Sequence, residues 1–343
     1  MNALVRTPST SSQFVRALVN FATTGEIDEA DRDILAVATG IGEGVGSSGG
    51  YLVGGTLAAE IWSKVYSTGQ IISRCADMPV TRGNGVLIPA ISEANRANGS
   101  RFGGVQSYFV DEGQSPSSSK PKLDLLNLAL RKLLTVIYAT DELVQDTNSL
   151  TAFLENVMAL EMAFTIEDRI VNGTGVGALE GVLVSPSLIT VAAEGAQATG
   201  SVLFANLTKM SARLWGPSHP NAVWLMSNDV YQLVLGLTTP GGSEVVVNSQ
   251  DGIKRILGAP IILCEYTPAL GSTGDIMLCD FSQYLLSLNK SPIESSIHVQ
   301  YVTDETAFKL RYRVDGASAW KSPVTPKNSA VTQSPFIALA ARP

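Results

Sequence analysis

Ionisable side chains are scarce in this sequence. Histidine occurs twice in 343 residues, cysteine three times, and Asp, Glu, Lys and Arg together make up 16%, against about 25% in an ordinary soluble protein. With so little charge to cover it, part of the surface is expected to meet protein rather than water. The cysteines, Cys75, Cys264 and Cys279, are odd in number, far apart and in no C-x-x-C arrangement. That pattern argues against a disulfide framework or a zinc site and leaves buried free thiols. Lys and Arg form no run dense enough to neutralise a track of phosphates, and 31 acidic against 24 basic residues give a net charge of −7. Sequence-specific nucleic-acid binding is disfavoured; a mildly acidic wall suits a container better than a reader. No run of about 18 apolar residues occurs, and Met1 to Ser12 is polar, without the apolar region of a secretory signal. A cytoplasmic origin with no membrane span is expected.

The same scarcity argues against catalysis. Gly46-Ser47-Ser48-Gly49-Gly50 satisfies the G-x-S-x-G pattern of a serine hydrolase, but a nucleophile elbow sits between a buried strand and a helix, and a polar glycine run precedes this one. Its base would have to be His219, in the loop Ser218-His219-Pro220, or His298, in a strand-like stretch; loop polarity and strand packing account for both. The carboxylate pairs Asp111/Glu112, Asp141/Glu142 and Glu167/Asp168 are sequence neighbours, which does not place two acids across a substrate, and they read as solvated or locally ion-paired. Gly173, Gly175 and Gly177 follow a helical stretch, where positive φ ends a helix, and lack the Gly-Lys-Ser/Thr ending of a phosphate loop. No catalytic residue, metal or cofactor is expected. A serine hydrolase stays as the remote alternative, separable by an esterase assay with Ser48→Ala as control.

What the chain has in quantity is apolar patterning. Hydrophobic residues make up 45%, enough for a sizeable core, and the length suits about two domains. Residues 1 to 50 stand apart. They comprise an amphipathic stretch from Phe14 to Phe21, an acidic piece from Glu26 to Asp33 and a glycine-rich run from Gly40 to Gly50. Such a segment cannot bury a core of its own and reads as an arm that lies on something else. Tyr51 to Ile72 enters the body with helical spacing in its second half. The β-prone runs Val86 to Ile91 and Val105 to Asp111, joined by the polar stretch Ser92 to Gly104, predict a long hairpin. The loop Gly113 to Lys120 and strand-like alternation from Leu123 to Tyr138 follow. A ribbon of this kind is marginal alone and leaves edges open, so it needs a partner surface. Ser149 to Val171 has helical spacing, with Ser149 as N-cap and Asn172-Gly173 as stop. Beyond it, helices over Leu207 to Trp215 and Asn228 to Leu235 alternate with strands over Ala222 to Met226, Pro260 to Cys264 and Ile276 to Cys279, a mixed α/β lobe. Ile297 to Arg313 and Pro335 to Ala340 return to strand-like alternation.

Several short segments carry a family likeness in their order. They are Gly49-Gly50-Tyr51-Leu52-Val53, Tyr108-Phe109-Val110-Asp111-Glu112-Gly113, Ala139-Thr140-Asp141-Glu142-Leu143-Val144-Gln145-Asp146, and Glu167-Asp168-Arg169-Ile170-Val171-Asn172-Gly173-Thr174-Gly175 with Leu179-Glu180-Gly181-Val182-Leu183. Leu257-Gly258-Ala259-Pro260-Ile261, Leu278-Cys279-Asp280-Phe281 and Arg313-Val314-Asp315-Gly316 follow. From about Gly49 to Leu339 the sequence resembles the major capsid proteins of tailed phages, the Hong Kong 97 fold. These segments are similar, in turn, to the family's passage from arm to body, its E-loop strand, the segment before its spine helix, the end of that helix with a glycine turn, and its later landmarks.

The resemblance implies an α+β fold of the Hong Kong 97 type with an N-terminal arm over 1–50, a lead-in to the peripheral domain over 51–84 and an extended E-loop hairpin over 85–126. A peripheral domain with a long spine helix over 127–190, a mixed α/β axial domain over 191–290 and peripheral return strands over 291–343 complete it. It implies a structural protein that self-assembles into hexamers and pentamers of an icosahedral head enclosing double-stranded DNA, assembled in the host cytoplasm and ending in the virion. An encapsulin-type nanocompartment shell is the alternative, and the arm and long polar hairpin favour the phage shell. The implied partners are copies of itself, scaffold and portal proteins, with a decoration protein as an open option. Many members carry a scaffolding segment ahead of the arm that is removed at maturation; the residues before Gly49 are too few for it, which leaves either a separate scaffold protein or a numbering that begins after processing, with Met1 favouring the former. Inter-subunit contacts are expected from Phe14, Leu18 and Phe21, which share one helical face of the arm, and from Arg101, Phe102, Tyr108, Phe109, Lys120 and Lys122 of the E-loop. Pro240, Gly241 and Gly242, in the axial loop Thr238 to Gly252, are expected to join them. Some members weld subunits by a lysine–asparagine isopeptide bond promoted by a glutamate. Lys120 and Lys122, near the base of the ribbon, could supply the lysine. Phe308 to Val314, where the asparagine and glutamate would be sought, contains neither, so a non-covalent shell is expected.

Overall fold

The helical spacing beyond Ser149 becomes α1, Leu150–Asn172, 23 residues long, or about 35 Å at 1.5 Å per residue. Leu154, Met158, Met162, Ile166 and Ile170 are all buried, a stripe at intervals of four that fixes one face of the helix inward. The computed structural model describes residues 69–342 apart from 81–83, 92, 98, 142–143, 145–149, 249–251 and 301–302. The arm with Phe14, Leu18 and Phe21, the Gly46–Gly50 pattern, most of Tyr51 to Ile72 and the Ser149 cap lie outside the described residues. Among the described residues there are three α-helices and several sheets, a mixed α+β fold.

The chain divides into two units, one of Met1–Ser63, Thr135–Val157 and Pro292–Leu310, the other of Lys64–Leu134, Met158–Ser291 and Arg311–Pro343. In the first, β12 (Glu294–Gln300) runs antiparallel to the start of β13 (Glu305–Ser318) from Glu294↔Lys309 to Gln300↔Glu305, with a slip in register between Ser296 and Gln300. An ion pair of 2.5 Å joins Lys309 to Glu294. Asp304 takes the turn at φ +54 and its carbonyl accepts the Asp141 N–H at 3.1 Å.

The second unit holds a seven-stranded sheet. Its strands are β5 (Ile189–Val191), β6 (Val223–Met226), β7 (Val246–Asn248), β8 (Lys254–Ile256), β9 (Ala259–Leu263), β10 (Ile276–Cys279) and β14 (Phe336–Leu339), in the order β5-β14-β10-β6-β9-β8-β7. The β5–β14 and β6–β9 pairs are parallel and the others antiparallel. The strands at its centre read VWLM, IMLC and FIAL, and every one of their residues is buried. One face, with Trp224, Met226, Ile276, Leu278, Ile337 and Leu339, packs against α2 (Phe204–Arg213) and α3 (Asn228–Leu235) through Leu207, Met210, Val230 and Val234. A sheet covered on both faces takes continuous apolar strands, which is why Pro335 to Ala340 is not the alternating strand expected. Trp224 donates its indole N–H to the Ile256 carbonyl at 2.9 Å. Ser227 caps α3 by accepting the Val230 N–H, and Asn206 accepts the Leu203 N–H at 3.0 Å at the start of α2. The chain end is locked by a buried ion pair of Arg342 with Asp275.

In the same unit β1 (Ala76–Asp77) runs parallel to β11 (Tyr284–Lys290), which pairs antiparallel with the second half of β13, Tyr284↔Ser318 to Lys290↔Tyr312. A ribbon of β2 (Gly85–Ile91) and β3 (Leu123–Ala129) lies nearby; β4 (Arg131–Thr140) follows it in the chain. The expected hairpin is corrected here. β2 pairs with β3, from Gly85↔Ala129 to Ile91↔Leu123, and Val105 to Asp111 forms no strand beyond a bridge of Val105 to Arg101. The reason is what lies beneath: Leu126 and Leu128 join Val86 and Ile88 against Met78, Leu285 and Ala317, whereas Tyr108, Phe109 and Val110 are exposed.

The glycine turn after α1 also differs in part. Gly175 and Gly177 have the expected positive φ, +74° and +73°, but Gly173 does not. A Cβ on Gly173 would stand 2.2 Å from the Leu179 carbonyl oxygen and 2.3 Å from that of Arg169. Close backbone approach, rather than φ, requires glycine there.

Candidate assembly surface

The ribbon is apolar on both faces. Residues opposite one another in an antiparallel pair share a face, so Val86, Ile88, Leu126 and Leu128 form the inner one and Leu87, Pro89, Ile91, Leu123 and Leu125 the outer. The outer residues are uncovered: Leu87 is 62% exposed, Leu123 64% and Leu125 59%. Seven residues at about 3.3 Å each give a greasy strip about 23 Å long. Two hydrogen bonds donated by backbone N–H groups, one to a side chain and one to a carbonyl, hold the ribbon's root. Ala129 N–H donates to Asp315 Oδ2 at 2.6 Å, and Leu130 N–H to the Asn84 carbonyl at 2.8 Å. Burial pushes the Asp315 carboxyl up, against the lowering effect of the Ala129 and Gly316 N–H bonds.

Between β2 and β3 the chain makes an excursion that carries six of the twelve expected contact residues. Arg101 and Phe102 sit on the tight turn to Val105, and Phe102 is displayed at φ +50. Tyr108 and Phe109 lie in an extended loop; the Phe109 ring has no cover at all. Gln106 N–H donates to Ser119 Oγ at 3.2 Å across the neck of that loop. Lys120 and Lys122 are exposed, but they lie beyond the Ile91↔Leu123 end of the paired strands, not at the Gly85↔Ala129 base where the sequence had put them. Pro240, Gly241 and Gly242 form the exposed tip of a separate hairpin turn closed by the Thr238↔Glu244 bridge, with Gly242 at φ +80. The structure thus brings Arg101, Phe102, Tyr108, Phe109, Lys120 and Lys122 into one excursion and leaves the Pro240 turn apart from it in the chain.

One residue that the sequence misplaced is Glu167. Its carboxylate is fully buried instead of solvated or ion-paired. It accepts the backbone N–H of Ile71 at 2.7 Å and of Ile72 at 3.1 Å, and the Tyr266 hydroxyl at 3.2 Å. It therefore grips the backbone a few residues ahead of β1. Burial first, and the Glu167 charge second, push the Cys75 thiol up to about 12; burial pushes Cys264 to about 12 as well and raises Cys279. All three cysteines are free, Cys75 half-buried and the others buried, as expected, and such thiols are inert at neutral pH. His219 and His298 are both exposed. Among the described residues no cluster of His, Cys, Asp or Glu could hold a metal ion, and no helix is long and apolar enough to cross a membrane.

The outer ribbon face was not singled out from sequence, although the signal was present: GVLIPAI and LDLLNLA carry apolar residues at both odd and even positions, the mark of a strand covered on two sides.

The model of the phage capsid family matches residues 49–326. No curated protein matches the sequence. Among solved structures, the capsid of an empty GTA particle superposes with a TM-score of 0.62 at 18% identity, over 85% of this chain and 97% of that one. A chain from Microbacterium phage Oxtober96 gives 0.58 at 12% identity, and one from Mycobacterium phage Bobi 0.57 at 12%, each over 86% of this chain and 98% of theirs. At these identities the likeness is one of fold.

Proposed function

The chain belongs to the phage capsid family, and from that premise we propose that it is the repeating wall unit of a tailed-phage head. Its copies form hexamers and pentamers that close into an icosahedral shell around double-stranded DNA. The fold is then of the Hong Kong 97 type. α1 is its spine helix, the ribbon and its excursion its E-loop, the seven-stranded sheet the main body of its axial domain, and the Pro240-Gly241-Gly242 turn an axial loop. The capsids of the related GTA particles were computed with C5 symmetry, in keeping with pentamers. Family membership points to a structural, non-enzymatic role in the virion, with scaffold and portal proteins as proposed partners and a decoration protein as an open option.

The observation that carries the proposal is the uncovered outer face of the ribbon. Covering Leu87, Ile91, Leu123 and Leu125 would contribute about 1–2 kcal/mol for each side chain, and a neighbouring copy is the one partner present wherever the chain is. A heterologous contact of this kind propagates from subunit to subunit and closes when the rotation allows. An interface on the order of 1,200 Å² is enough for stable association. The test is expression of the full chain, alone and with its scaffold partner, followed by sedimentation and electron microscopy. Rings or shells far larger than 36.2 kDa are expected, whereas a monodisperse monomer at every concentration refutes the proposal. Boiled in denaturant and reductant, the particles should run as a single monomer band, because Phe308 to Val314 offers no asparagine or glutamate for a covalent weld.

A further inference from the structure

Beyond the ribbon, the excursion lies along a C-terminal stretch of the chain. Arg96 N–H donates to the Thr325 carbonyl at 2.9 Å, and Thr325 N–H to the Ala94 carbonyl at 2.9 Å. A cleft of about 150 Å³ remains there, lined by Arg96, Ser100, Arg101, Val324, Lys327 and Gln333 among others. Arg96 is held by Glu93 at 2.7 Å. Arg101 and Lys327 are exposed and form no ion pair among the described residues. The cleft therefore carries two uncommitted positive charges in a chain whose net charge is −7.

Phe102, next to Arg101, is 63% exposed and is fixed in the left-handed region, an uncommon state for a residue with a Cβ. The turn holds it there: Arg101 N–H to the Val105 carbonyl at 3.0 Å and Val105 N–H to the Arg101 carbonyl at 2.8 Å. Gly103 packs so closely on Lys122 that a Cβ would stand 2.5 Å from the Lys122 oxygen. An exposed aromatic on a hydrogen-bonded turn, beside an arginine, has the make-up of an interface anchor.

The occupant follows from charge complementarity within the sequence. Glu26, Asp28, Glu29, Asp31 and Asp33 crowd one short stretch, among Ile27, Ile34 and Leu35. We propose that Arg101 and Lys327 form a carboxylate clamp for residues 26–33 of a copy of this chain, with Phe102 covering an adjacent Ile27, Ile34 or Leu35. The inference rests on the shell reading. Because the cations are exposed, the contact weakens with salt.

The test treats assembled full-length particles with a carbodiimide, which condenses a carboxylate with a neighbouring lysine amine to an amide and takes up the water itself, and maps the linked peptides by mass spectrometry. Lys327 joined to a carboxylate of residues 26–33 is expected. The exposed-site variant Arg101→Glu with Lys327→Glu should keep its melting temperature and lose particle yield at least tenfold, and adding Glu29→Lys and Asp31→Lys should restore it. Intact particles in which Lys327 links elsewhere or not at all overturn the clamp and leave the shell reading standing. So does a double variant that assembles normally, or one that loses only packaged nucleic acid, which would make a phosphate backbone the partner. A chain that never assembles overturns the shell reading and the clamp with it.

Discussion

β6 and β10 are apolar at every position, and β2 and β3 nearly so, yet all of the first pair's residues are buried while Leu87, Leu123 and Leu125 of the second are more than half exposed. In the seven-stranded sheet the chain supplies both covering layers itself. In the ribbon it supplies one, through Met78, Leu285 and Ala317, and leaves the other to a partner. The same strand chemistry thus serves a core in one place and an interface in the other, and what differs is whether the second layer is present in the same copy.

Substitutions separate the two regions by what they damage. The largest loss of folding stability is expected from Trp224→Ala, which empties a fully buried site and orphans the Ile256 carbonyl. Cavities of that size cost about 3–5 kcal/mol, readable as a lowered denaturant midpoint of the unassembled protein. Glu167→Gln keeps the shape of the side chain but weakens acceptance of the Ile71 and Ile72 N–H groups, at about 1–3 kcal/mol. It should also lower the Cys75 pKa by removing a neighbouring charge, so thiol labelling speeds up. Unchanged labelling would show that the grip does not reach Cys75. A smaller effect is expected at the ribbon's root. Asp315 has its folded pKa raised, so the native state holds the proton more tightly than the unfolded chain. Stability then falls as pH rises from the ordinary carboxylate pKa through the raised one, and is level above it. Asp315→Asn should flatten that decline in melts across the acid range, and a slope as steep as before would remove Asp315 as its source.

The contrast between the regions was only partly legible in the sequence. α3 and β10 fall where spacing put them, and α1 within a residue, because caps and turns such as Ser227 and Asn172-Gly173 are local signals. The ribbon's pairing was misread because Val105 to Asp111 and Leu123 to Ala129 are both β-prone. The choice between them is made by Leu285 and Ala317, far along the chain. Glu167 reads like any helical carboxylate, since its partner Ile71 lies 96 residues away. Lys327 belongs to no pattern at all and gains meaning only from the backbone pairing of Thr325 with the excursion.

The central claim, that the outer ribbon face is finished by a neighbouring copy, is tested most directly by Leu87→Ser with Leu125→Ser. Surface changes of this kind shift folding stability by no more than about 0.5 kcal/mol. The double variant and the unaltered chain are melted as unassembled protein and then sedimented under assembly conditions. The account predicts matching melts and a variant that stays among small oligomers while the unaltered chain enters the shell fraction. Equal shell yield from both, at equal stability, would contradict it.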